Sequence, residues 1–133
     1  MSSPREVFHL AIPARDLAVA EHFYCALLGC HVARRYLDRI TFMFFGGQLV
    51  CHHAPEEPVR KLSLYPRHFG ITFRERYDFE ALLRVVVLRE VPVFQPVMQR
   101  FAGTVEEHAS IVLRDPTDNL LEFKCYIDPR MMY

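Results

Sequence analysis

"FHLAIPARDL", residues 8–17, and "RHFGITF", residues 67–73, each set a histidine before a short apolar run: His9 in the first, His68 in the second. After the first run, Asp16 leads into Leu17, Ala20, Phe23, Tyr24, Leu27 and Leu28. That spacing of threes and fours draws one apolar face of a helix, with Asp16 as its N-cap and Gly29 as its stop. The second half repeats the plan, with Asp78 as the expected cap and Phe79, Leu82, Leu83 and Val86 as the apolar stripe. Short apolar strands separated by turn residues follow each helix: "HVARRY", "ITFMFF" and "QLVCHH" in the first half, "VPVFQP", "ASIVLRD" and "NLLEFKCY" in the second. Each half therefore reads βαβββ, which makes the fold class α+β. The proline-rich stretch "APEEPVRKLSLYP" separates the halves, giving a first module over residues 1–54, a connector over 55–66 and a second module over 67–133, together one domain.

Composition narrows the function. The chain of 133 residues is 51% hydrophobic and balances 16 basic against 16 acidic side chains. It has no surplus charge to draw nucleic acid or an anionic membrane, so a small-molecule partner is expected. No apolar run approaches the roughly 20 residues that span a bilayer. "MSSPREVF" has neither the basic start nor the apolar core of a secretion signal, and a cytoplasmic location is expected. Cys25, Cys30, Cys51 and Cys125 form no Cys-x-x-Cys pair and read as buried thiols.

One carboxylate stands out. Aligning Gly47–His52 with Asp118–Phe123 by apolar pattern sets Cys51 at the place of Glu122, which sits in "LLEF" and shares a strand face with Leu120 and Lys124. Burying a carboxylate unpaired costs several kcal/mol, so Glu122 needs a cation or a wet cavity. His9 and His68, on matching strands, are the candidate partners around a metal. A lone histidine beside apolar residues is more often a core residue, and the matched pair with Glu122 is what favours ligation.

The paired βαβββ plan, the histidine opening each module and "DPTDNLLEFK" near the end resemble the vicinal oxygen chelate superfamily: glyoxalase I, extradiol dioxygenases, fosfomycin resistance enzymes and bleomycin-binding proteins. The resemblance implies curved mixed sheets around a central cavity and a divalent metal held by His9, His68 and Glu122. It also implies a homodimer. Two imidazoles and a carboxylate leave positions open on a six-coordinate ion, which suits Fe(II) binding a chelating substrate and O₂; Mn, Zn, Ni or Co also fit such donors. Small extradiol-dioxygenase-like members are the nearest likeness, acting on a small substrate with vicinal oxygens. Glyoxalases usually bring a further ligand from the last strand of the first module, where this chain has Cys51; Gln48, His52 or His53 would replace it under a shifted register.

Secondary candidates follow from the same layout. His108 begins the strand expected beside Glu122 and would serve in proton transfer, against the alternative of a solvated strand end. Tyr126, on the Glu122 face, would hydrogen-bond a substrate oxygen or close the cavity. Arg100 would draw an anionic group or lie in an exposed loop, and His53 and Cys51, which share a strand face, are substrate-side candidates. His22 and His31 read as surface or structural. Two other functions use the same chain: a glyoxalase-like isomerase or lyase that needs no oxygen, and a metal-free drug-binding protein.

Overall fold

The protein is described by a computed structural model over residues 5–133. Its first helix begins as the sequence requires. Asp16 has extended backbone and its carboxylate accepts the Val19 N–H at 3.0 Å, satisfying an amide that the helix leaves without a partner. Helix α1, Leu17–Glu21, widens into a π-helical stretch, His22–Leu27, and ends where Gly29 takes φ 82° and donates to the Cys25 carbonyl at 2.9 Å. Helix α2, Arg76–Leu88, starts earlier than expected: Glu75 is its N-cap, and Asp78 sits inside the first turn. There the carboxylate is still favourable, because it faces the positive end of the helix dipole.

The strands are β1 (His9–Ala14), β2 (His31–Arg35), β3 (Arg39–Phe44) and β4 (Gly47–His53), then β5 (Phe69–Thr72), β6 (Val93–Arg100), β7 (His108–Arg114) and β8 (Leu120–Tyr126). They form two four-stranded sheets with orders β1-β4-β3-β2 and β5-β8-β7-β6. In each sheet the first and last strands of the module run parallel and the other pairs antiparallel. A parallel pair needs a long crossover, supplied here by the helix and the two intervening strands. Both halves are thus βαβββ, and neither sheet closes into a barrel. The chain divides into two compact units between Val59 and Arg60, within the stretch read as connector.

Each sheet buries one face under its own helix. In the first unit Phe23 and Tyr24 are buried with Phe42, Leu49 and Cys51, and the Tyr24 and Phe42 ring centres are 5.4 Å apart. In the second, Phe79 and Leu82 of α2 are buried with Leu121 and Phe123, on which Phe73 stacks at 6.1 Å. Each fully buried ring contributes about 2–3 kcal/mol through apolar area removed from water. All four cysteines are free thiols, and burial pushes the Cys30 thiol up to about 12. Among the described residues no helix is long and apolar enough to cross a membrane.

Candidate functional site

The other face of the second sheet gathers most of the candidate residues. A turn at Asp115–Asn119 sets the β7–β8 register: the Asp115 carboxylate accepts the Thr117 and Asn119 amides and the Asn119 side-chain N–H, each at 2.8 Å. Val112 then lies opposite Glu122, Ser110 opposite Lys124 and His108 opposite Tyr126. Directly paired strand residues share a face, so these six form one surface. Glu122 is 9% exposed, and the Ser110 hydroxyl donates to its Oε2 at 2.7 Å.

On the other side of β8 the parallel partner of Glu122 is Gly70. A Cβ at Gly70 would lie 2.6 Å from the Glu122 carbonyl carbon and 2.9 Å from its nitrogen, so only glycine lets β5 approach this closely. His68 stands just before β5, two residues from Gly70, and its Nε2 lies 3.4 Å from Glu122 Oε1. Its Nδ1 lies 2.6 Å from the Leu64 carbonyl, which only accepts, so Nδ1 carries the hydrogen and donates. In the neutral ring the lone pair of Nε2 then points at a carboxylate that has only lone pairs to offer. A cation belongs between them, either a proton on Nε2 or a metal ion.

The donor set fits a metal. Two ligands each about 2.1 Å from one ion stand roughly 3.0–3.4 Å apart, the spacing seen here. Orientation of a ligating imidazole by a backbone carbonyl at its other nitrogen, and of a ligating carboxylate by a hydroxyl, is the usual support around such ions. Leu64 is itself fixed: it is buried with Val112 and Leu120, and Leu62 packs against them.

The remaining groups of this face form a chain. His108 is 6% exposed and its Nδ1 lies 2.8 Å from the Glu106 carbonyl, so Nδ1–H donates there and Nε2 stays available. Its ring centre is 4.5 Å from that of Tyr126, whose hydroxyl accepts from Lys124 Nζ at 3.2 Å. Arg100, expected in a loop, is instead the last residue of β6, paired with His108; its guanidinium reaches the Tyr65 hydroxyl at 3.4 Å.

In the first unit the β1–β4 register pairs His9 with Gln48, Ala11 with Val50 and Ile12 with Cys51. His9 therefore shares its face with Gln48, Val50 and His52. This corrects the expected equivalence of Cys51 with Glu122: relative to the two histidines it is displaced by one residue, and one residue turns a strand over. Cys51 is fully buried in the core on the helix side, so it has no surface to offer a substrate. His53 lies on that same side, exposed, beside Arg15 and Asp16 at the start of α1 and away from the His9 face. Among the described residues no three His, Cys, Asp or Glu side chains stand together as a metal-holding group. His68 and Glu122 are the two brought together within one unit, and His9 belongs to the other.

Sequence reasoning passed over Ser110, Gly70 and the Leu64 carbonyl. Ser110 was within reach, since it stands two residues from His108 in a strand already set beside Glu122. Gly70 offered only its place in "HFGI", and a backbone carbonyl leaves no mark in composition.

Residues 6–123 match the profile of the Glyoxalase/Bleomycin resistance protein/Dioxygenase superfamily, and the chain belongs to this family, the vicinal oxygen chelate superfamily. A glyoxalase/bleomycin resistance protein/dioxygenase from Alicyclobacillus acidocaldarius is 54% identical over 100% of both chains, with a TM-score of 0.94. A lactoylglutathione lyase from Agrobacterium tumefaciens is 18% identical, covering 92% of this chain and 95% of its own, with a TM-score of 0.67. For a glyoxalase/dioxygenase from Nostoc punctiforme the values are 17%, 96%, 97% and 0.69. These last two likenesses carry the fold alone. No curated protein matches the chain.

Proposed function

We propose that the protein is a metal-dependent enzyme of the vicinal oxygen chelate type, with His68, Glu122 and His9 as its metal ligands and Fe(II) as the favoured ion. The reaction proposed is extradiol-like ring cleavage of a small substrate with vicinal oxygens, using O₂, in a homodimer. The observation that supports this reading above all is the facing of His68 Nε2 and Glu122 Oε1 at 3.4 Å, with the far side of each group held by Leu64 and Ser110. His9 would join the pair from its own chain or from a second copy.

When bound, the ion would chelate the two substrate oxygens and favour their deprotonated form. The chain's own groups would do the rest. His108, with Nδ1 committed to the Glu106 carbonyl, offers Nε2 to receive a substrate hydroxyl proton and return it later. Tyr126, held by Lys124, would hydrogen-bond a substrate oxygen, and Arg100 would draw an anionic group toward the end of β6. A glyoxalase-like lyase would use the same ligands without oxygen, so O₂-dependence of turnover separates the two.

The test is metal content and affinity of anaerobically purified protein, for the wild type, His68→Ala and Glu122→Gln. The wild type is expected to retain a divalent ion that both variants lose. Equal metal in all three would overturn the assignment, and a folded, metal-free wild type that still binds planar ligands would indicate a binding protein.

A further inference from the structure

The two oxygens of Glu122 are differently engaged. Oε1 faces His68 Nε2 at 3.4 Å, while Oε2 accepts the Ser110 hydroxyl hydrogen at 2.7 Å. Ser110 is fully buried, which closes its hydroxyl to water, and a hydroxyl has a single hydrogen to give. Lys124 lies directly opposite Ser110 and two residues from Glu122 on the same face, yet its Nζ turns to the Tyr126 hydroxyl at 3.2 Å. The two residues paired with Glu122 across the sheet, Val112 and Gly70, have no side-chain donor to offer. Among the described residues, Ser110 is thus the side-chain donor that fixes which oxygen of Glu122 turns away from His68.

This bond bears on how the carboxylate can hold an ion. A carboxylate binds through one oxygen or through both. Binding through both would bring Oε1 and Oε2 to face the ion together, drawing Oε2 off Ser110. A buried hydroxyl would then be left without its acceptor, an arrangement that folded proteins avoid. The bond therefore favours the state in which Oε1 alone is free to bind.

We propose that Ser110 is a positioning residue that limits Glu122 to binding the metal through Oε1. The position that the second oxygen would take on the ion then stays open to a small-molecule ligand. This rests on the metal-dependent reading above and adds to it the group that sets how its carboxylate binds.

The test uses Co(II), whose visible bands report the atoms around it. The ion is titrated anaerobically into the wild type, Ser110→Ala, and the pair Ser110→Thr and Ser110→Val, which have nearly equal volumes and differ in the hydroxyl. Ser110→Ala and Ser110→Val should bind Co(II) about tenfold or more weakly, the scale of losing a partner of a metal ligand. Their visible bands should also shift as Oε2 joins the ion, which a merely looser fold would not cause. Ser110→Thr keeps the hydroxyl and should stay close to the wild type in both readouts. Wild-type bands and affinity in Ser110→Ala, or equal behaviour of Ser110→Thr and Ser110→Val, overturns the proposal. His68→Ala keeps the two readings apart. If it binds Co(II) as the wild type does, the metal reading fails. If it loses the ion while the Ser110 variants keep wild-type bands and affinity, the metal reading stands and the role of Ser110 falls.

Discussion

Gly70→Ala isolates what holds His68 beside Glu122. Gly70 is not among the residues with positive φ, so alanine suits its backbone angles and the penalty is one of space alone. The added Cβ would meet the Glu122 carbonyl carbon at 2.6 Å and its nitrogen at 2.9 Å, where ordinary contacts begin near 3.4 Å. The Glu122 carbonyl oxygen is closer still, so strand β5 must move off β8 by more than an ångström at this rung. Overpacking costs about 1–3 kcal/mol and one or two weakened ladder hydrogen bonds add about 1 kcal/mol, for a total of roughly 2–4 kcal/mol. In a chain of this size that lowers the melting temperature by about 8–16 °C. Because β5 carries the backbone that places His68, metal affinity should fall about tenfold or more in protein that is still folded. Differential scanning calorimetry and metal titration read the two effects. Gly103→Ala is the control: Gly103 has φ 79° with open space around a Cβ, so that substitution costs only the strained backbone, about 1 kcal/mol. A Gly70→Ala protein no less stable than the control, with wild-type metal affinity, would refute the close-approach argument.

Asp115→Ala removes the acceptor of three hydrogen bonds from a residue only 4% exposed and should cost about 2–4 kcal/mol by denaturant unfolding; a loss below 1 kcal/mol would show that the turn holds itself. The Arg35 guanidinium beside Glu21 holds that carboxyl below the usual range, so the folded-state value lies under the unfolded one. Its stabilisation is present above the ordinary glutamate range and fades as pH falls through the folded value. Glu21→Gln should therefore lower the melting temperature slightly at pH 7 and in low salt, and by progressively less as the pH falls below the ordinary glutamate range; a gap that widens in acid contradicts this. Cys30, buried with its thiol pushed up to about 12, should resist iodoacetamide at pH 8 while a denatured control reacts fully, and rapid labelling of native protein would disprove its burial.

The modules were legible because their signals are periodic. Helical stripes from Leu17 and Phe79 and short strands between turn residues are repeated in both halves, so each half checked the other. Boundaries were less so: Glu75 begins α2 without any side-chain cap, and nothing local announces it. On the candidate site, the shared face of Glu122, Lys124 and Tyr126 follows from strand alternation, and the pairing of His108 with Tyr126 from one tight turn. Cys51 was misjudged because apolar pattern aligns "GQLVCH" with "DNLLEF" equally well at neighbouring registers, and only the pairing of β1 with β4 decides which face it takes. Gln48 could not be joined to His9 for the same reason: cross-strand rungs are fixed by backbone pairing, which no single strand's sequence contains.

The parallel seam between β5 and β8 has a consequence for how such a chain can change. His68 and Glu122 enter from the two ends of their module and meet at a seam that the intervening 53 positions, 69–121, merely have to span. Lengthening the loop at 101–107 or recasting the outer face of α2 leaves that meeting intact. Cutting the polypeptide before β8 abolishes it outright. A chain under synthesis has thus laid down both α-helices and the segments of seven strands before the eighth brings Glu122 to His68.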